Sequence, residues 1–504
     1  MIEDIFSSEI RRAFGLTPTA EQSAAIDEFG RFAACRDGQS MMILRGSAGT
    51  GKTSLAGAIV RAMHNMKQRV VLMAPTGRAA KVFSLNAGSE AFTIHRRIYR
   101  QKTYNGEDTS FSLNFNKHQH TLFIVDEASM IPSGNSSPNA HQPSSSAIFG
   151  SGHLLDDLVQ YVYSGQHCRL MLIGDKAQLP PVGEAESPAL SPQVMEAYGI
   201  RVFHADLNEV LRQSQESGIL WNATMIRQMI THDEMTQLPR IVFSRFADIR
   251  RVPGDELIEQ LSSSYSHVGM DETMVVVRSN KRANIYNNGI RAMVLGREEP
   301  LTSGDLLMVV KNNYFWKKED EGLPKEESAE RKDDGEGLSF LANGDRMRVQ
   351  RVRNRQELYG FTFADAWLVF PDYDDYELEA TVLLDTLQSE APALTREQNE
   401  QLFNAVMDDY ADVPLKSERI KKLRQDRFFN ALQIKYAYAV TCHKAQGGQW
   451  AHVYVDQGYM TDDMLSPDYI HWLYTAFTRA TEQLFLVNWP KTQIQESNIA
   501  YITE

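Results

Sequence analysis

The chain has 504 residues, too many for one ordinary core, and about three domains are expected. Apolar residues make up 42% and charged residues 23%, an ordinary globular composition that excludes a disordered or fibrous chain. A net charge of −13 weighs against nucleic-acid binding as a global count, but it allows the bases to line one channel while the acids lie elsewhere. No apolar run is long enough to span a bilayer, and the segment from Met1 to Phe14 has no signal-peptide core. The three cysteines, Cys35, Cys168 and Cys442, lack disulfide or metal spacing, so a reducing, cytoplasmic setting is expected.

In chain order, short apolar runs alternate with helical stretches, the pattern of a parallel sheet with crossover helices. Met41–Leu44, Val70–Met73, Thr121–Val125 and Arg169–Ile173 read as buried central strands. The first runs directly into Gly46, Gly49 and the triplet Gly51-Lys52-Thr53, followed by Ser54 and a helix. This is the P-loop pattern. Its glycines let backbone N–H groups turn onto a β-phosphate, Lys52 reaches the β- and γ-phosphates, and the Thr53 hydroxyl holds Mg²⁺. The positive end of the helix dipole, opening near Ser54, adds to the same site.

The residues from Arg100 to Asn116 contain Asn105-Gly106, a two-residue hairpin turn, with Phe111, Leu113 and Phe115 alternating along the second arm. The strand 121–125 then delivers Asp126 and Glu127 to its end. Asp126 suits a metal's water shell, and Glu127 suits the positioning or deprotonation of an attacking water, which hydrolysis requires and a kinase does not. Residues 133–152, rich in Ser, Asn, Pro and Gly, read as a surface loop, and 317–337 as a charged, solvated excursion. Arg346–Val352, Phe361–Phe370 and Leu378–Leu383 read as antiparallel strands of a small inserted barrel, and Thr395–Gln398 as a capping box opening a helix. Lys416, Arg419, Lys421, Lys422, Arg424 and Arg427 form a basic stretch, either a solvated helix face or the lining of a strand channel.

The run Gly174-Asp175-Lys176-Ala177-Gln178-Leu179-Pro180-Pro181-Val182-Gly183 resembles motif III of superfamily 1 helicases, in the RecD-like and Dda-like (1B) branch. Other segments resemble the rest of that motif set in order. Leu16-Thr17-Pro18 with Glu21-Gln22 resembles the Q motif, and Gln22 is then implied to contact adenine. Ala74–Ala80 resembles motif Ia, Thr93–Arg96 motif Ib, Leu207–Gln213 motif IV, Tyr438–Gly447 motif V and Tyr474–Ala480 motif VI. The resemblance implies two RecA-like domains with ATP between them, Arg212 and Arg479 as cations facing the γ-phosphate from the second domain, and Gln178 as its sensor. It further implies strand contacts at Thr76, Arg78, Thr93, His95, Thr441, His443 and Lys444, a residue set suited to phosphate oxygens.

Domains are expected at 1–200, with a pin-like insertion over 96–120; at 201–299 with 432–504; and at 300–431 for an inserted SH3-like barrel and helical segment. The hairpin either splits duplex, as the resemblance implies, or packs its apolar face on the first domain. The barrel either clamps the strand or meets a partner. The implied activity is Mg²⁺-ATP-driven, 5′-to-3′ translocation on single-stranded DNA with duplex unwinding, in repair or recombination. Its rivals are an RNA motor, a nucleotide-switched binding module and a P-loop kinase. One departure stands out: where the family often carries Ser-Glu after motif V, this chain has Gly448-Gln449.

Overall fold

The structure, a computed structural model, describes residues 2–101, 111–134, 150–209, 216–232, 237–313, 315–316 and 341–495. The first sheet runs, from edge to edge, Ala91–Thr93, Arg69–Ala74, Thr121–Val125, Arg169–Gly174, Ser40–Gly46 and Arg201–Leu207, all parallel. All four strands read from the sequence are present. Helices cover both faces, which is why the strands are apolar almost throughout. Met41, Ile43, Phe123 and Val125 face one core, while Met42, Leu44, Leu122 and Ile124 face the other. That alternation is the two-residue period of a strand with two buried faces.

The expected boundary at residue 200 is displaced. Arg201–Leu207 pairs along its whole length with Ser40–Gly46, from Ser40–Arg201 to Gly46–Leu207. It turns Phe203 and Leu207 into the first core, so its apolar positions place it with the first sheet. The second sheet is also parallel, in the order Ala439–Thr441, Thr273–Val277, Trp450–Asp456, Ala480–Val487 and Ile249–Val252.

Leu306–Val309, Arg346–Leu358, Phe361–Phe370, Tyr376–Leu383 and Leu432–Tyr436 close a five-stranded barrel. Its last strand lies beyond the expected limit at 431. The pairing between Tyr376–Leu383 and Leu432–Tyr436 is parallel, because the helices Arg396–Asp408 and Lys416–Arg424 intervene and return the chain to the same end. The helix Arg396–Asp408 opens on the expected capping box, with the Thr395 and Gln398 side chains each accepting the other's backbone N–H. The basic stretch is largely a solvated helix face, with Arg419 turned back onto the Val413 carbonyl at 2.6 Å and Arg427 3.5 Å from Asp365 of the barrel.

The arms of the hairpin, Tyr99–Gln101 and Phe111–Leu113, pair antiparallel; Asn105-Gly106 lies outside the described residues. Phe111 is buried in the first domain's core and Leu113 packs against it, so the apolar face is turned inward. Phe115 is 68% exposed, with the Arg100 guanidinium 4.5 Å above its ring.

Candidate nucleotide and strand sites

The phosphate loop leaves the strand Ser40–Gly46 and enters the helix Lys52–Asn65. Gly49 and Gly51 hold φ of +78° and +76°, the left-handed region that a side chain would strain. At Gly46 a Cβ would stand 3.0 Å from Thr50 Oγ1 and 3.2 Å from Leu207 Cβ, so a side chain there would crowd the loop. The helix starts at Lys52, two residues before the expected Ser54, which is exposed. Lys52 and Thr53 therefore occupy the first turn, where the unpaired N–H groups and helix dipole favour an anion.

Gln22 is placed beside the phosphate loop. Its amide oxygen accepts the Thr19 N–H at 3.0 Å, completing the capping box of the helix Ala20–Ala34. Its Nε2 donates to the Thr50 carbonyl of the phosphate loop at 2.9 Å. Both ends of the buried amide are thus bound to backbone, and Gln22 links the first helices to the loop.

Asp126 and Glu127 follow the strand Thr121–Val125. Burial and the neighbouring Glu127 charge push the Asp126 carboxyl up to about 6, against the pull of the Lys52 ammonium. Glu127 holds φ of +53°, and its own N–H donates to Asp126 Oδ1 at 2.8 Å. A non-glycine residue in this conformation stores strain that only a fixed surrounding retains. Across the gap, Arg479 is 98% buried with Nη1 4.0 Å from Glu127 Oε1. With its amide oriented by its neighbours, Gln178 donates to Glu127 Oε2 at 3.2 Å and accepts from Arg479 Nη2 at 3.1 Å. Glu127, Gln178 and Arg479, from three distant segments, thus meet in one chain. Arg212 lies outside the described residues.

The helix Pro467–Phe477 clasps this region with groups that motif spacing does not single out. The Tyr474 hydroxyl accepts from the Ala48 N–H of the phosphate loop at 2.9 Å and donates to Asp175 Oδ2 at 2.6 Å. Thr475 Oγ1 accepts the Leu179 N–H at 2.8 Å, and Gln446 Nε2 donates to the Leu179 carbonyl at 2.7 Å. Burial raises the Asp175 carboxyl, opposed by Lys52 and by the Tyr474 hydrogen bond. One tyrosine therefore joins the phosphate loop, the end of the strand Arg169–Gly174 and the second domain.

The expected strand-contact residues stand in four settings. Thr76 and Thr93 are N-caps, accepting the N–H groups of Ala79 and Arg96. Gly447 lies against Thr76: a Cβ there would approach Thr76 Oγ1 to 3.1 Å. Thr441, exposed His443 and half-buried Lys444 lie on or just before the short helix Cys442–Ala445, and burial lowers Lys444. Burial pushes His95 down to about 4, and its ring lies 5.7 Å from that of Tyr99.

Arg78 is held by acids. It donates to Asp372 Oδ1 at 3.3 Å, Glu272 Oε1 at 3.2 Å and the Gln449 carbonyl at 3.0 Å. Lys81, one turn on, pairs with Asp374. Asp372 and Asp374 belong to the barrel's turn at Pro371–Tyr373 and just after it, so the barrel docks on the helix Gly77–Ala87 through carboxylates. Tyr373 from the same turn fills the space beside Gly77, where a Cβ would lie 2.5 Å from its hydroxyl oxygen.

Comparison with known proteins bears on this arrangement. The family model described as an AAA domain matches residues 17–137, and that described as a UvrD-like helicase C-terminal domain matches residues 436–487. The chain is 28% identical over 178 residues to the ATP-dependent RecD2 DNA helicase of Deinococcus radiodurans, a match covering 34% of this chain and 19% of that protein. It is 22% identical over 514 residues to an uncharacterized protein of Acanthamoeba polyphaga mimivirus, covering 88% of this chain and 94% of the other. A Pif1 helicase from Bacteroides, solved in complex with ADP-AlF3 and ssDNA, aligns with 96% of this chain and 95% of its own at 14% identity and a TM-score of 0.43. The two family matches take in the phosphate loop with Glu127 on one side and Arg479 on the other. The chain is similar to superfamily 1B helicases of the RecD kind.

In this RecD-like chain, the departure at Gly448-Gln449 has a local cause. A Cβ on Gly448 would lie 2.2 Å from the Trp450 ring, and the Gly448 carbonyl accepts from Arg479 Nη1 at 3.1 Å. A serine there would displace the tryptophan that packs beneath both Arg78 and Arg346, at 5.8 and 5.7 Å.

Proposed function

We propose that the chain is an ATP-dependent DNA helicase that moves 5′-to-3′ on single-stranded DNA and unwinds duplex. The observation that carries this reading is the contact of Glu127, Gln178 and Arg479 across the two sheets. A group that orients water, a polar relay and a buried cation meet where a terminal phosphate would lie. Charge on that phosphate attracts the domains, and its loss on hydrolysis lets them part. The donor set fits Mg²⁺-ATP: a cradle in which Gly49 and Gly51 hold left-handed φ, the Lys52 ammonium, the Thr53 hydroxyl and the Asp126 carboxylate. Bound Mg²⁺ would neutralise phosphate charge and draw Asp126 into its ionised form. Strand contacts by Thr76, Thr93, Thr441 and Lys444 then alternate their grip as the domains close and open. The 5′-to-3′ polarity, the DNA preference and the roles of repair or recombination rest on the resemblance to RecD-like helicases.

Steady-state ATPase rates with and without single-stranded DNA, beside Lys52→Ala, test this reading. Strong stimulation by DNA, lost in the variant, is expected. A single low rate whatever strand is added, DNA or RNA, would sink it, and forks with opposite tails would test polarity.

The acids on Arg78 lead to a second expectation. Asp372→Ala removes one carboxylate that competes with a strand phosphate, an interaction of about 1–2 kcal/mol for a charged hydrogen bond. Single-strand affinity by fluorescence anisotropy should tighten about fivefold or more. Unchanged or weaker binding would show that Arg78 is committed to the barrel.

A further inference from the structure

In a chain of net charge −13, residues 38–125 hold twelve Lys and Arg against three Asp and Glu. Two of these bases, Lys67 and Arg69, stand at the opposite, N-terminal rim of the first sheet, which none of the motifs uses.

Three neighbouring strands begin there: Arg69–Ala74, Thr121–Val125 and Arg169–Gly174. An open cleft of about 420 Å³ is lined by Lys67, Gln68, Arg69, Gln119 and His120. Its lining, among the described residues, contains no acid. Lys67 and Arg69 are exposed and in no ion pair among the described residues. His120 stacks on His167 from the next strand's start, with ring centroids 4.8 Å apart and planes 19° from parallel. Lys67, His120 and His167, one from each turn, all hold left-handed φ, at +56°, +48° and +54°. Such conformations are uncommon outside glycine, and three side by side bring a cation and two imidazoles to one edge. The backbone N–H groups of Lys67 and His120 are already used, by the carbonyls of His64 and Gln166, so the rim offers side chains.

We propose that this rim is a second phosphate-binding surface, which takes the sugar–phosphate backbone of a nucleic acid lying outside the motor channel. His120 and Asp126 bracket the strand Thr121–Val125. At about 3.3 Å per residue, the rim therefore lies about 20 Å from the nucleotide site. On the first sheet, the expected channel residues Thr76, Arg78, Thr93 and His95 lie at the C-terminal ends of the strands, so one strand in that channel does not also reach the rim. A duplex arm beside the motor does. At about 4.8 Å between strands, Lys67 and His167 span about 10 Å, enough for two or three successive phosphates. The proposal rests on the helicase reading for its ligand, while its chemistry requires only a polyanionic backbone.

The test compares the wild type with Lys67→Glu/Arg69→Glu, and with Lys67→Gln/Arg69→Gln should the reversal fail to fold. Binding of a forked DNA and of its bare single-stranded tail is measured over a salt series, beside tail-stimulated ATPase. The expected result is fork affinity at least tenfold weaker and a log–log salt slope lower by about 2, from about 0.9 per lost duplex phosphate contact. Tail affinity and ATPase should stay within about twofold. Unchanged fork affinity in a folded variant would overturn the proposal, as would an equal loss on the bare tail, which would assign the rim to the channel. Absent stimulation of the wild-type ATPase would instead overturn the helicase reading, and leave the rim supported by selective loss of fork binding.

Discussion

Arg479→Ala should lower kcat for ATP hydrolysis by about a thousandfold or more, the range of arginine fingers in phosphoryl transfer. At about 1.4 kcal/mol per tenfold, that is about 4 kcal/mol of transition-state stabilisation. The guanidinium is held by the Thr475 and Gly448 carbonyls at 3.1 Å, so it is oriented before any nucleotide arrives. Pre-orientation matters because the charge develops only in the transition state. Affinity for an ATP analogue should change far less than kcat, since Lys52 and the glycine cradle remain. Single-turnover kinetics beside equilibrium binding separates the two. A variant with a near-normal kcat would show that Arg479 serves only to pack motif VI.

Asp305→Ala should be the most destabilising single change outside the nucleotide site. Asp305 is fully buried and accepts from Arg291 twice at 3.0 Å, from Arg297 at 2.7 Å, from the Tyr438 hydroxyl at 2.8 Å and from the Thr302 N–H at 2.8 Å. It stands at the start of the barrel, and Tyr438 precedes a strand of the second sheet, so one carboxylate ties the two units together. Removing it leaves Arg291, itself 4% exposed, as an uncompensated buried charge, costing about 3–5 kcal/mol. Urea denaturation followed by tryptophan fluorescence should show an earlier transition. Although burial opposes it, the arginines and the Thr302 N–H hold the Asp305 carboxyl below its usual range. Its contribution is therefore fully present above about pH 4, the unfolded value, and is lost as pH falls through the lower folded value. In the alanine variant that acid-dependent loss should shrink. An unmoved urea midpoint would mean that the barrel and second sheet are held by apolar packing alone.

What was legible in the residues was what depends on near neighbours in the chain. Gly49 and Gly51, with Gly46 ahead of them, announce a phosphate cradle because the left-handed backbone of the first two, between a strand and a helix, favours glycine. The apolar run 121–125 announces a buried strand, and a buried strand leaves Asp126 and Glu127 at its end. The capping box at Thr395 and the antiparallel strands of the barrel were likewise readable from spacing. The first domain boundary was misplaced because Arg201–Leu207 has exposed residues interleaved with Phe203 and Leu207, and edge pairing with Ser40–Gly46 is a long-range fact.

Contacts between distant segments were decided only by the tertiary structure. Tyr474 reaches Ala48 across 426 residues, and no local pattern marks its hydroxyl as the link between domains. Arg78 has the local setting of a strand contact, yet the barrel, 294 residues on, supplies the carboxylate that holds it. The link from the Gln22 amide to the Thr50 carbonyl of the phosphate loop, 28 residues on, is likewise a tertiary fact. The phosphate loop and the acidic strand end are legible in the chain because each is built from consecutive residues. The acid partners of Arg78 come from tertiary packing, Asp372 among them from the docking of the barrel, because a partly buried charge pairs with the acids nearest in space, whatever their distance along the chain.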